Sequence, residues 1–137
     1  MKYYDIKLNP SGELTVQERS VVSTPMPEPS RGAATGPLLA PRTGASSTLL
    51  VNVEPKGVVF DHESANDGLV FVLAGSGQLG LSGHASVSFV AGDALMVPAK
   101  VMHGWQAHDE GFVLGVVIMG KSEMRSLDTS TTVGIRT

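Results

Sequence analysis

The 137-residue chain contains no cysteine. Disulfide scaffolds, thiolate zinc sites and a cysteine nucleophile are excluded at once. Nor is there a basic stripe, since ten lysines and arginines against thirteen acidic residues leave a formal charge of −3 spread along the chain. Electrostatic capture of nucleic acid or of an anionic membrane is therefore not expected. Long apolar runs are missing too. The longest, Phe112 to Met119, is eight residues and contains Gly115, against the about 20 needed to span a bilayer as a helix. Met1-Lys2-Tyr3-Tyr4-Asp5 lacks the apolar core of a secretory leader. These absences make a cytoplasmic location the expectation. The chain also has no Walker loop, no Gly-x-Gly-x-x-Gly opening a helix and no His-Glu-x-x-His. Ser64 lacks the strained strand-to-helix turn of a hydrolase nucleophile.

What is present points to β-structure. A hydrophobic share of 42% at this length suits one domain with a single core. Sixteen glycines and eight prolines, with little helical periodicity, predict an all-β chain. Tyr3–Leu8 and Leu14–Val22 read as strands around the turn Asn9-Pro10-Ser11-Gly12. Ser23 to Gly44 holds five prolines and three glycines, and is expected to be an irregular arm. From Ser46 onward, short apolar or alternating runs recur between turn signals, as in a sandwich or barrel. Glu54-Pro55-Lys56-Gly57 and Gly75-Ser76-Gly77 read as turns, the second as a hairpin. The expected organisation is an arm over 1–45, a barrel over 46–120 and a polar tail over 121–137.

Gly92-Asp93-Ala94-Leu95-Met96-Val97-Pro98 is the most informative stretch. A Gly-Asp turn feeds a short strand that stops at a proline, and His103 stands where the next strand restarts. Upstream, Gly57 precedes His62, and Val72-Leu73-Ala74-Gly75-Ser76-Gly77 closes the segment.

These two segments resemble the two motifs of the cupin superfamily, over about Ser46 to Gly120. The resemblance implies a jelly-roll β-barrel with N-terminal strands added at its edge. It also implies a homodimer in which the N-terminal arm meets a second copy. Where the family's set is complete, three histidines and one glutamate hold a divalent metal such as Zn, Fe, Mn or Ni. This chain keeps His62 and His103 of those four. Ser64 stands at the second histidine position and Gly68 at the glutamate position, with Asp67 one residue away. Lys100 replaces the usual glycine of the second motif, and Ala107 its asparagine. Catalytic zinc normally takes three protein ligands, and non-haem iron two histidines and a carboxylate. The expected metal site is therefore reduced or absent. Asp67 completes it only if a bulge turns its side chain inward; otherwise it serves the turn.

His103 and His62 are the candidate catalytic pair, as proton carriers or metal ligands. The alternative for His103 is a loop histidine satisfied by a backbone carbonyl, and for His62 a partly exposed strand end. Trp105, the only tryptophan, is either a stacking wall for a ligand or a core filler or dimer contact. Met96 and Met102 flank the second motif, either against a ligand or in the core. Val70 and Val72 are candidate lining, with Val59, Leu79 and Val97. Arg42, or Arg31, could reach from the arm to clamp an anion. His84, Gln106 and His108 are expected at the surface. The expected ligand is a small molecule in an apolar cavity. Isomerase, cyclase or lyase chemistry by histidine-mediated proton transfer is the first reading. A non-catalytic binding or sensing barrel is the second, and a metal-dependent dioxygenase-like barrel the third.

Overall fold

The computed structural model describes residues 1–38 and 47–120. Nine strands follow in order: β1 (Lys2–Leu8), β2 (Leu14–Ser20), β3 (Thr24–Pro25), β4 (Arg31–Pro37), β5 (Ser47–His62), β6 (Gly68–Leu81), β7 (Val87–Val90), β8 (Ala94–Val97) and β9 (His103–Ile118). No helix among the described residues is long and apolar enough to cross a membrane. The fold is an all-β, antiparallel jelly-roll barrel.

Strands β3 to β9 form one sheet in the order β3-β4-β5-β9-β6-β7, with β8 also paired to β6. Three long strands carry it around. The register of β5 on β9 shifts between Val53 and Val58, and that of β6 on β9 shifts near Ala74 and again between Gly75 and Gly77. Such bulges bend a strand. Because they fall at one level in neighbouring strands, the sheet folds over on itself into two walls. The first wall joins β4, the start of β5, the end of β9, the start of β6, and β8. The second joins the end of β5, the start of β9, the end of β6, and β7. Gly75 sits at the crease with φ +77°, and a Cβ there would collide with the Gly111 carbonyl oxygen.

Side chains alternate between the two faces, and the inward ones fill one end of the barrel. Phe89 meets Phe112 edge-on at 5.1 Å and Trp105 at 5.7 Å, over Val72, Leu79 and Leu114. This plug closes that end and leaves the other end open. The Gly-Asp turn is held from three sides. The Val90 amide donates to the Asp93 carboxylate, Gly92 N–H to the Val72 carbonyl, and Val72 N–H to the Asp93 carbonyl, each at 2.9 Å.

Four local expectations are corrected. The run Glu54 to Gly57 does not end a strand, because β5 passes through it as a bulge with Lys56 at φ 61°. Gly75-Ser76-Gly77 is a bulge inside β6, not a hairpin. The proline-rich arm contains a seven-residue strand, because Gly32 to Gly36 carry free amide donors between the prolines and pair with β5. Finally, β1 and β2 do not add to the barrel's edge. They pair over their full lengths, Lys2 with Ser20 through Leu8 with Leu14, as a separate two-stranded sheet.

Two backbone positions give opposite predictions, checked by thermal or denaturant unfolding. Gly75→Ala should cost more than about 2 kcal/mol, since it adds both a forbidden φ and a backbone collision. Lys100, at φ 63°, should gain up to about 1 kcal/mol on substitution by glycine.

Candidate functional site

At the open end, His62 on β5 faces His103 on β9 as direct cross-strand partners. Their positions depend on one extra residue. Val59 pairs with Trp105 and His62 with His103, so β5 spends three residues where β9 spends two. Without this bulge, alternation from Val59 would turn Asp61 inward and His62 outward. With it, the two rings stand 4.3 Å apart between centroids, inclined by 54°. Asp61 instead lies against Gly104, where even a methyl group would collide with its carboxylate.

Both rings are anchored the same way. His62 Nδ1 lies 2.9 Å from the Phe60 carbonyl, and His103 Nδ1 lies 2.8 Å from the Val101 carbonyl. A carbonyl oxygen only accepts, so each Nδ1 carries the proton and donates. In the neutral rings both Nε2 atoms then carry lone pairs. His103 is buried, with Trp105 edge-on at 6.2 Å. Burial pushes the His103 pKa below its ordinary 6.5; the Val101 hydrogen bond opposes this, His62 adds to it, and Asp61 opposes it.

The cavity above the pair has a volume of about 200 Å³. Its polar lining is His62, His103, Ser64, Asn66 and Thr35, and its walls are valines, leucines, Met26, Ile118 and Trp105. Val70, Val59 and Val97 line it as well. Val72 and Leu79 do not; they lie deeper, in the packed core. Met96 and Met102 are exposed and outside the cavity, because inward Leu95 and Val97 leave Met96 on the outer face. Arg31 is exposed and does not line the cavity, while Arg42 and the 121–137 tail lie outside the described residues. His84, Gln106 and His108 are exposed. Sequence reasoning missed Thr35 and Met26, whose strand and flank were hidden by the surrounding prolines. It also missed the alternating pairs Leu49, Val51 and Leu114, Val116, a period-two signal that was legible.

The donor set does not fit a tightly held divalent metal. All four motif positions, His62, Ser64, Gly68 and His103, line the same cavity. Only two of them offer imidazole, and none offers a carboxylate. Asp67 uses its carboxylate to accept from the Ala99 amide and is not in the cavity lining. Among the described residues no group of three or more His, Asp or Glu side chains could hold a metal ion.

No protein-family model matches the sequence, and no curated protein matches it. Solved structures do. The polyketide cyclase RemF from Streptomyces resistomycificus superposes with a TM-score of 0.64 at 22% identity, covering 72% of this chain and 73% of the cyclase. DMSP lyase DddQ from Ruegeria pomeroyi gives 0.65 at 18% identity over 74% of this chain, which spans only 57% of the lyase. A cupin 2 conserved barrel domain protein from Rhodopseudomonas palustris gives 0.65 at 18% identity, over 74% of this chain and 71% of that protein. Similarity at these identities speaks to architecture, and the architecture is the cupin barrel.

Proposed function

We propose that the barrel is a small-molecule enzyme that moves a proton between carbon and oxygen or between two carbons, without a tightly held metal. The observation that carries this is the anchored imidazole pair, with two Nε2 lone pairs in a largely apolar cavity. His103 is the base. Its Nε2 takes a proton from a carbon beside a carbonyl, and the C–H electron pair moves to form the C=C of an enolate. Ser64 and Asn66 line the same cavity and are the candidate donors to the enolate oxygen. The His103 imidazolium is then favoured by Asp61 and the Val101 carbonyl. Returning the proton at another atom completes an isomerisation; loss of a β-leaving group instead completes an elimination. That two of the similar structures are named a cyclase and a lyase is in keeping with this chemistry.

The second reading, a binding barrel without catalysis, shares the cavity and differs only in proton transfer. Hydrogen–deuterium exchange at C1 of 2-tetralone, a neutral bicyclic ketone, separates the two. The protein should accelerate exchange, and His103→Asn should lose about 10²- to 10⁴-fold of that acceleration. Asparagine keeps a donor near the Val101 carbonyl but has no Nε2, so stability should change little. Tetralone that binds without faster exchange would assign the chain to the binding reading.

Assembly as a homodimer belongs to the same proposal. Tyr4, Ile6, Leu8, Leu14 and Val16 share one face of the β1–β2 hairpin, and all are more than half exposed. The opposite face carries Asp5 with Lys7 and Arg19. A lone two-stranded hairpin is at best marginally stable, and an apolar face of this kind is a candidate interaction surface. The outer barrel face offers a match in Phe71, Leu73 and Met96, also exposed. Reciprocal exchange between two copies covers both faces and closes with two-fold symmetry. Sedimentation equilibrium should give a dimer mass. Ile6→Glu with Val16→Lys, an opposite-charge pair across the hairpin, should give a monomer; a monomeric wild-type chain would refute the assembly.

The acid side of the pH profile follows from His103. With its folded pKa below 6.5, the unfolded chain binds more protons in the interval between the two values. Stability should therefore rise with pH through that interval and level off above 6.5. The exchange rate should rise over the same limb, because only neutral His103 accepts a proton. His103→Asn should flatten the stability limb, as measured by unfolding between pH 4.5 and 8.

A further inference from the structure

We propose that Asp67 is the positioning residue of this site: its carboxylate locks the loop that carries Ser64 and Asn66 onto the loop that holds the base. The inference rests on the proton-transfer reading above and adds to it a residue outside the cavity lining. Two loops meet at the barrel mouth. One, residues 63–67, joins β5 to β6 and brings Ser64 and Asn66 to the cavity. The other, residues 98–102, joins β8 to β9 and carries the Val101 carbonyl that anchors His103 Nδ1. The far end of this second loop is tied to the barrel, since Ser82 N–H donates to the Met102 carbonyl at 3.1 Å. It is therefore fixed relative to the base, and the donor loop must be set against it.

Asp67 makes that connection from both its side chain and its backbone. The carboxylate accepts from the Ala99 amide across the gap between the loops. The Asp67 carbonyl accepts from Met119 N–H at 3.0 Å, beside the Gly68–Ile118 rung of β6 on β9. A second bond, from Lys100 N–H to the Ser64 carbonyl at 2.9 Å, runs next to the carboxylate contact. One bond between two loops is a pivot, whereas two bonds at different points fix their mutual orientation. Loss of the carboxylate leaves the pivot and strands the Ala99 amide in a part-buried place, which is costly. The donors then lose their register on His103, and a misplacement of about 1 Å can cost up to about 10²-fold in rate. An aspartate one residue from a motif ligand position thus serves the site by placing other groups.

The experiment follows hydrogen–deuterium exchange at C1 of 2-tetralone with the full chain, as a function of ketone concentration. Asp67→Ala should lower the saturating rate about tenfold and leave the half-saturating concentration nearly unchanged, because the apolar walls that take up the ketone stay in place. Asp67→Asn keeps an oxygen for the Ala99 amide and should recover most of the loss. The deciding step is a cycle with the double variant Ser64→Ala, Asn66→Ala. With the donors gone, Asp67→Ala should cost less than about twofold, since it acts through them. An equal loss in both backgrounds, no loss on Asp67→Ala, or no recovery with asparagine would overturn this inference and leave the proton-transfer reading standing. Should Asp67→Ala not fold, Asp67→Ser, whose oxygen ends one atom short of Oδ1, takes its place with the same expected order. A wild-type chain that does not accelerate exchange would overturn both.

Discussion

The chemistry at the mouth of this barrel depends on one extra residue in β5. Three residues, Phe60 to His62, span the distance that two residues cover on β9. That single insertion reverses the parity of the strand. It brings an imidazole inward and sends the Asp61 carboxylate to the outside of the wall. A strand of strict alternation would have put an unpaired carboxylate into an apolar cavity, which is costly unless it is neutralised. The same bulge supplies the His62 anchor, because it leaves the Phe60 carbonyl 2.9 Å from Nδ1. Position, orientation and tautomer are thus consequences of one local geometry.

Much of the architecture was legible because its signals are local. The Gly-Asp turn reads from two residues, and its hydrogen bonds to Val72 and Val90 explain why those residue types serve there. Pro98 ends β8, and Trp105 shares the parity of His103 without any bulge between them. The misreadings share a different cause. Pro55 and the glycines at 75 and 77 look like chain reversals, yet each lies inside a long strand that bends between walls. Turn chemistry and bulge chemistry use the same residues. Only the partner strand, remote in sequence, distinguishes them. The same holds for β4, whose pairing with β5 overrides a composition that reads as an arm.

The site was half legible for a related reason. His62 and His103 could be named from spacing. Their 4.3 Å approach could not, since it needs a register shift that leaves no mark in either segment alone. Met96 and Met102 drew attention by sitting beside the motif, but adjacency in sequence places alternate residues on opposite faces. Leu95 and Val97 take the inner face, so Met96 is turned outward. Thr35 went unnoticed because nothing about a threonine among prolines announces an enclosed hydroxyl.

The two motif positions without ligands shape the cavity as much as those with them. Ser64 and Gly68 both border it, and a Cβ built at Gly68 would meet only Val116 Cγ1, at 4.0 Å. The space where a side chain would begin at Gly68 is therefore open. The lack of a glutamate there also takes a negative charge away from the imidazoles, which would otherwise raise their proton affinity. Without that charge, burial sets the direction for His103, and the ring is held toward its neutral, basic form. One absence thus leaves room beside the imidazoles and takes a carboxylate from them, which are the conditions that the proposed proton transfer requires, in the place where a complete ligand set would hold a cation.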